Sequence, residues 1–294
     1  MKKWNLIIDV ERCENCNNCV LAAKDEYVGN EYPGYSAAAD HTGAELISIT
    51  RKNRGTGALM DTAYLVKMCN HCDDAPCIKN ASDVIHKRDD GIVIIDPDKA
   101  KGRKDIVKSC PYGAIVWNET LKVPQTWIFD AHLLDQGWDK PRCQQTCPTG
   151  VFDAVKITDA EMAKRAEEMK LETLGPYFGE KARVFYKNLH RVTKNFIAGS
   201  VVTENEGVEE CVAGAKVSLL LNGSVVANTL TSDFGEFKFD HIDSRTKGYQ
   251  VVIEKDGLAE ICRTVDSVNE SICLTEISMA AQLQPSVKEE SSCI

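Results

Sequence analysis

Eight of the thirteen cysteines stand at spacings that suit an iron–sulfur protein. Six form two triplets, C-x2-C-x2-C and C-x2-C-x4-C, and the last two each precede a proline; in order they are Cys13, Cys16, Cys19, Cys69, Cys72, Cys77, Cys110 and Cys147. A 4Fe-4S cluster needs four thiolates, and the bacterial ferredoxin motif combines three from one loop with a Cys-Pro cysteine from elsewhere. Two triplets and two Cys-Pro cysteines supply two complete sets. This pattern predicts a chain that holds clusters or moves electrons.

Zinc and disulfides are the other common uses of grouped cysteines. Zinc sites use pairs of C-x2-C, or Cys with His, to build one tetrahedron, and a third cysteine three positions later crowds that geometry. Disulfides suit short secreted chains, whereas this chain has 294 residues, an odd cysteine count and no apolar signal segment after Met1. The residues therefore favour iron–sulfur clusters over both alternatives.

Composition excludes several classes of partner. Apolar residues make up 43% of the chain and charged residues 27%, as in ordinary globular proteins. The net charge of −9 makes nucleic acid and anionic membranes poor partners. The longest uncharged stretch, 217–232, contains turn residues and is typical of strand–turn–strand structure, not of a membrane span. We expect neither nucleic acid nor membrane as a partner.

The cluster cysteines all fall in a predicted first domain, residues 1–194. Two strand-like runs, 6–10 and 91–96, precede or follow the two triplets and indicate tandem ferredoxin-like units. Residues 24–68 are rich in glycine and polar residues and are interpreted as a long excursion with a functional or interface role. A capping box at 158–161 predicts the start of a helix.

The pattern changes to short, β-branched runs from about Phe196. Asn222-Gly223 between two such runs is typical of a tight hairpin. Residues 195–278 are therefore predicted to form a small seven-stranded β-sandwich of the immunoglobulin or prealbumin-like kind, and 279–294 a polar tail. The fold class is α+β, a tandem ferredoxin-like domain followed by this sandwich.

Several segments resemble the iron–sulfur subunits of the dimethyl-sulfoxide-reductase family of molybdopterin enzymes. They are the cysteine motifs at 13–19, 69–77 and 110–113. Further segments resemble, within that family, the small subunits of pyrogallol–phloroglucinol transhydroxylases; they lie at 31–35, 91–97, 117–119, 131–135 and 234–240. With the appended sandwich, the resemblance covers nearly the whole chain except the tail.

The resemblance implies partners and cofactors that this chain does not itself supply. The partner would be a large catalytic subunit that carries molybdenum bound by two pyranopterin guanine dinucleotides, in a heterodimer or higher assembly. Its substrates would be polyhydroxylated aromatics, undergoing hydroxyl transfer, hydroxylation or dehydroxylation. An external electron carrier is a possible further partner.

The resemblance also implies how the cysteines are shared. In that family the first and fourth motifs exchange their last cysteines, as do the second and third. Cluster A would then use Cys13, Cys16, Cys19 and Cys147, and cluster B would use Cys69, Cys72, Cys77 and Cys110. The third motif keeps only its last cysteine, and the partner position in the second motif is Ala81. The cluster that these positions would share is therefore missing here, as in the transhydroxylases.

One more cluster of that family lacks its ligands in this chain. Its four positions are Ala23, Trp127, Asp130 and Cys143, which offer a single thiolate. Although Asp130 could ligate iron, two ligands do not hold a cubane cluster. We therefore expect two clusters where the transhydroxylases have three, with the large Trp127 side chain filling the vacated site and Cys143 left as a spare thiol.

No catalytic constellation accompanies the cysteines. The sequence has no H-E-x-x-H, no Walker loop and no G-x-G-x-x-G after a strand, so the chemistry is expected on the large subunit. Three roles remain open: an electron-transfer subunit, a mainly structural subunit of a redox-neutral transhydroxylase, and a free-standing two-cluster ferredoxin. Reduced thiolates favour a cytoplasmic location.

Overall fold

The computed structural model describes residues 1–43, 45–175 and 181–282. The predicted tail, 279–294, lies mostly outside these ranges. The chain divides into two compact units, the first made of Met1–Lys52 and Ala63–Val192, the second of Asn53–Thr62 and the chain from Thr193 onward. The division differs from the sequence-based domains, because part of the 24–68 excursion groups with the second unit.

Short elements build the first unit. Its helices are α1 Asn18–Tyr27, α2 Pro76–Asn80, α3 Ala131–Asp135, α4 Arg142–Thr146 and α5 Asp159–Glu168, with α6 His190–Thr193 at its end. Its strands are β1 Lys3–Asp9, β2 Ser48–Arg54, β3 Asp61–Lys67, β4 Ile85–Lys87, β5 Val93–Ile95, β6 Val116–Asn118, β7 Val123–Gln125, β8 Phe152–Ile157 and β9 Val184–Lys187. Short 3-10 helices span Val10–Arg12 and Lys104–Ser109, and a third, Gly57–Leu59, belongs to the second unit together with the adjoining ends of β2 and β3. The predicted capping box begins α5, where the Thr158 side chain accepts from the Glu161 N–H.

A three-stranded sheet with β1 in the centre brings the first and last cysteine motifs together. The strand β1 pairs antiparallel with β8 and parallel with β9, and Ile8 faces Phe152 in the register. The end of β1 therefore lies beside the beginning of β8. Because the first triplet follows β1 and Cys147 precedes β8, this pairing places them at one edge of the sheet.

The second triplet sits against a separate small core. The hairpin of β4 and β5 packs with the 3-10 helix Lys104–Ser109. Its buried members are apolar residues, namely Ala81, Val84, Ile85, Val93, Ile95, Ala100, Ile106 and Ile115. Cys77 and Cys110 pack on this cluster. The two halves of the first unit thus each support one set of cysteines.

Between residues 193 and 282 the second unit forms eight strands, one more than the seven predicted. They are β10 Asn195–Asn205, β11 Val208–Cys211, β12 Lys216–Leu221, β13 Ser224–Leu230, β14 Glu236–Ile242, β15 Thr246–Glu254, β16 Ile261–Val268 and β17 Ile272–Met279. One sheet has the order β13-β12-β15-β16, and the other centres on β10, which pairs with β11, β14 and β17. The strand β11 is exposed at all four residues, so it lacks the apolar alternation by which strands are recognised.

The second unit includes the tip of the β2–β3 hairpin, which a buried arginine fixes. The Arg54 side chain is 1% exposed and donates to the Asp240 carboxylate at 2.9 and 3.1 Å and to Asp61 at 2.5 Å. It also lies over the Phe196 ring, 5.2 Å from the centroid. At Gly55, φ is +74° and a Cβ atom would stand 2.4 Å from that ring, so glycine is required there.

Candidate metal centre

The first thiol set lies around the loop between β1 and α1. Cys13 follows the 3-10 helix Val10–Arg12, and Cys19 is the second residue of α1. Asn15 and Asn17 between them have φ values of 58° and 62°, a left-handed conformation that asparagine tolerates better than most residues. The three thiols of this loop are near enough to interact, since burial raises the pKa of Cys19 and the charges of Cys13 and Cys16 act in the same direction.

Cys147 joins this set from α4. Cys147 stands directly after α4, and the Asn18 side chain at the start of α1 donates to the Thr146 carbonyl at 3.3 Å. Burial raises the pKa values of Cys13 and Cys19, and the charge of a Cys147 thiolate acts in the same direction on both, which places the fourth sulfur close to the triplet.

The second thiol set lines one pocket. The sulfurs of the triplet 69–77 and of Cys110 share this pocket with apolar side chains and Asn70; its lining residues include Cys69, Cys72, Cys77, Cys110, Val93, Ile95 and Ile115. Burial raises the pKa of Cys69 to about 12, and the neighbouring thiolates of Cys110 and Cys77 act in the same direction.

Four of the thiols, two in each set, resist ionisation on their own: Cys13, Cys19, Cys69 and Cys77. Burial raises the pKa of Cys19 to about 12 and also raises those of Cys13 and Cys77. Several buried thiolates at close range repel one another, and a bound cationic core removes that penalty because metal ligation deprotonates thiols. The two sets therefore fit iron ligation, which requires thiolates.

Backbone N–H groups point at sulfurs in both sets. The His71 N–H donates to Cys69 Sγ at 3.5 Å, and the Val151 N–H donates to Cys147 Sγ at 3.4 Å. Such bonds stabilise a thiolate, and hydrogen bonds to sulfur are among the factors that set a cluster's reduction potential. The loops thus provide hydrogen-bond donors as well as thiols.

Asn70 gives the second pocket a polar group that no protein atom satisfies. The residue is 2% exposed, and neither its Nδ2 nor its Oδ1 has a hydrogen-bond partner within the described parts of the chain. An unpaired buried amide is costly. A cluster sulfide in this pocket would accept from Nδ2, so the orphaned amide fits a 4Fe-4S cluster there.

Lys87 supplies a positive charge beside the same set. Its Nζ donates to the carbonyls of His71, Cys72 and Gly91 at 2.7, 3.0 and 2.8 Å, and lies 3.0 Å from Asp73. Burial lowers its pKa, although the Asp73 carboxylate acts in the opposite direction. Sequence analysis missed both Asn70 and Lys87, because neither the type nor the spacing of these residues signals the contact.

His71 lies beside the second thiol set. Its ring is buried, and burial lowers its pKa to about 3, so the imidazole is neutral. Its Nδ1 accepts from the Val93 N–H at 3.1 Å. The remaining hydrogen is then on Nε2, which has no hydrogen-bond partner among the described residues.

The four positions of the expected vacated cluster site are buried and filled with side chains. Trp127 is fully buried, and Ala23, Asp130 and Cys143 are 7%, 2% and 1% exposed. Burial and the Asp130 charge raise the pKa of the Cys143 thiol well above its usual value. This region contains one thiol and a dense core in place of a thiol set.

The Asp130 carboxylate accepts hydrogen bonds from three donors of the protein. Its Oδ1 accepts from Tyr27 Oη at 2.6 Å and from Trp127 Nε1 at 3.2 Å, and its Oδ2 accepts from the Arg142 N–H at 2.8 Å. Burial raises the pKa of Asp130, although these donors act in the opposite direction. Tyr27 lies one helical turn after Ala23, so the network connects α1 to α4.

Comparisons with known proteins identify the class. The profile described as "4Fe-4S dicluster domain" matches residues 60–157. The chain is 29% identical over 215 residues to a putative iron–sulfur subunit of the dimethyl sulfoxide reductase of Halobacterium salinarum, covering 64% of this chain and 80% of that protein. It is 31% identical over 153 residues to one component of the anaerobic dimethyl sulfoxide reductase of Escherichia coli, covering 51% and 72%. The protein is an iron–sulfur subunit of the dimethyl-sulfoxide-reductase type, with a 4Fe-4S dicluster domain and a β-rich C-terminal region.

A longer match identifies the particular family. The chain is 42% identical over 260 residues to the pyrogallol hydroxytransferase small subunit of Pelobacter acidigallici, covering 87% of this chain and 92% of that protein. The chain therefore belongs to the family of that small subunit.

In the parts of the sequence that the structure describes, no helix is long and apolar enough to cross a membrane.

Proposed function

We propose that this chain is the electron-transfer subunit of a heterodimeric molybdenum enzyme that acts on polyhydroxylated aromatics. The 42% identity to a pyrogallol hydroxytransferase small subunit along 87% of the chain carries the proposal. The large partner subunit would hold molybdenum with two pyranopterin guanine dinucleotides and perform the hydroxyl transfer, hydroxylation or dehydroxylation. We place the complex in the cytoplasm, where reduced thiols persist.

In this proposal two 4Fe-4S clusters are held by the two thiol sets. Cluster A uses Cys13, Cys16, Cys19 and Cys147, and cluster B uses Cys69, Cys72, Cys77 and Cys110. Support comes from the shared pocket of the second set and, in each set, from the charges of neighbouring thiolates, which add to burial in raising the pKa values of Cys19 and Cys69. The site of Ala23, Trp127, Asp130 and Cys143 holds no cluster, since its only carboxylate already has three protein donors.

The second unit is proposed to be a prealbumin-like sandwich. One buried cluster contains Val201 and Phe237 from one sheet together with Val217 and Val251 from the other. Two sheets that share a core in this way face each other. An experimental structure in which the two sheets share no core would contradict this part of the proposal.

A mainly structural role is the second candidate, because transhydroxylation involves no net redox change. The two candidates differ in what the clusters do during turnover. We expect that the purified heterodimer, given substrate under anaerobic conditions without an external donor or acceptor, shows cluster EPR signals that change while product forms. Signals that stay constant throughout turnover would favour the structural role instead.

The orphaned Asn70 amide leads to a prediction about cluster B. We expect Asn70→Leu to lower the midpoint potential of one cluster by roughly 60 mV, equivalent to about 1.4 kcal/mol for one electron, because a donor stabilises the more negative reduced state. Potentiometric EPR titration measures this change. Asn80→Leu, at an exposed position on α2, is the matched control and should leave both potentials unchanged. Equal potentials in Asn70→Leu and the native chain would show that the amide does not reach the cluster.

A further inference from the structure

The vacated cluster site contains a continuous aromatic contact. The Trp127 ring stacks on Phe129 with the centroids 4.9 Å apart, and both rings are almost completely buried. The His71 ring touches both, with centroid distances of 5.7 Å to Trp127 and 5.6 Å to Phe129. The tryptophan thus stands at a former cluster-ligand position and is in contact with a side chain of the second cysteine motif.

The His71 end of this contact reaches the second thiol set. His71 lies between Cys69 and Cys72 in the chain, and its N–H donates to the Cys69 sulfur. Its ring orientation is fixed because Nδ1 accepts from the backbone of Val93, which lines the same pocket as the cysteines. From the sulfur of Cys69 to the ring of Trp127 there is only one intervening residue.

The other end of Trp127 leads towards the first thiol set. Its Nε1 donates to Asp130 at 3.2 Å, and the same carboxylate accepts from the Arg142 N–H at 2.8 Å. Arg142 begins α4, which is followed directly by Cys147. Two hydrogen bonds and the five residues of α4 therefore separate the indole ring from Cys147 of the first set.

We propose that Trp127 and His71 form the bridge through which an electron passes between the two clusters, at the place that a further cluster would occupy. The inference rests on the proposed function. Electron tunnelling weakens less steeply through packed and hydrogen-bonded atoms than across gaps, and the route from Cys69 through His71 and Trp127 to Asp130 consists of two hydrogen bonds and one ring contact. In each event one reduced cluster loses an electron and one oxidised cluster gains it. Neither side chain is oxidised, and no proton moves.

The test measures transfer between the clusters in the purified heterodimer, separately from enzyme turnover. A laser flash with a soluble ruthenium photoreductant injects one electron, and rapid-freeze EPR follows the appearance of the second cluster's signal as the first one declines. We expect Trp127→Leu to slow this step, because the smaller side chain removes both the contact with the His71 ring and the hydrogen bond to Asp130. Trp127→Phe keeps an aromatic ring but loses the hydrogen bond to Asp130. Its transfer rate should therefore fall between those of the native protein and Trp127→Leu.

The matched control is Trp4→Leu. Trp4 belongs to the same core and contacts Phe129 at 5.6 Å, but it lies outside the hydrogen-bonded route. In the Trp4→Leu variant, the electron should pass between the clusters at the native rate. Native rates in both Trp127 variants, or equal slowing in Trp4→Leu, would overturn the bridge. If Trp127→Leu fails to load iron, the transfer rate of Trp127→Phe decides whether the bridge is correct. A native chain that contains no iron would instead show that the proposed function is wrong.

Discussion

Replacing Cys110 with alanine is expected to lower the iron content of the purified chain from about eight atoms to about four, because one cubane holds four irons and needs all its thiolates. Cys110 shares its pocket with the triplet at 69–77. With three ligands left, cluster B should be lost or reduced to a labile fragment, while cluster A remains. Iron analysis and the EPR spectrum of the reduced protein measure the change.

Cys143→Ala is the matched control for this experiment. Cys143 is also a buried thiol, 1% exposed, but it lies at the site that we propose to hold no cluster. It should keep about eight irons and both EPR signals. If Cys143→Ala lost iron while Cys110→Ala did not, the proposed assignment of cysteines to clusters would be wrong.

Asp130→Ala is expected to destabilise the first unit by about 3–5 kcal/mol. The change leaves three donors, from Tyr27, Trp127 and Arg142, without an acceptor in a buried region. Each unsatisfied buried donor costs about 1–3 kcal/mol. Anaerobic urea unfolding, followed by tryptophan fluorescence, measures the loss.

Asp130→Asn separates hydrogen bonding from the loss of the side chain. The amide oxygen still accepts from Tyr27 and Trp127, but the Nδ2 group opposes the Arg142 N–H, so a smaller loss of about 1–2 kcal/mol is expected. A cluster bound at this site would behave differently: both variants would then alter the iron content. Unchanged stability in Asp130→Ala would show that the carboxylate does not hold α1, α3 and α4 together.

Cysteine spacing was the part of the site that sequence could predict, because a cluster loop must present several sulfurs within a few residues. The fold brings Cys147 to the first triplet through the pairing of β1 with β8, and Cys110 to the second triplet through one pocket. Their roles as ligands stay a prediction. The resemblance to the molybdopterin-enzyme subunits is confirmed by the match along most of the chain.

The features that sequence could not predict depend on contacts between distant residues. Lys87 reaches the carbonyls of His71 and Cys72 from a neighbouring strand, and no local pattern marks such a lysine. The tip of the β2–β3 hairpin groups with the second unit through Arg54 and Asp240, which are 186 residues apart. The exposed β11 strand has no apolar face, so the predicted count of seven strands was one too low.

Iron, acid-labile sulfide and zinc analysis of the anaerobically purified native chain tests the central claim most directly. The account predicts about eight irons and about eight sulfides per chain, with no stoichiometric zinc. About twelve irons would show that the site of Trp127 and Asp130 does hold a cluster. Stoichiometric zinc in place of iron would contradict the account as a whole.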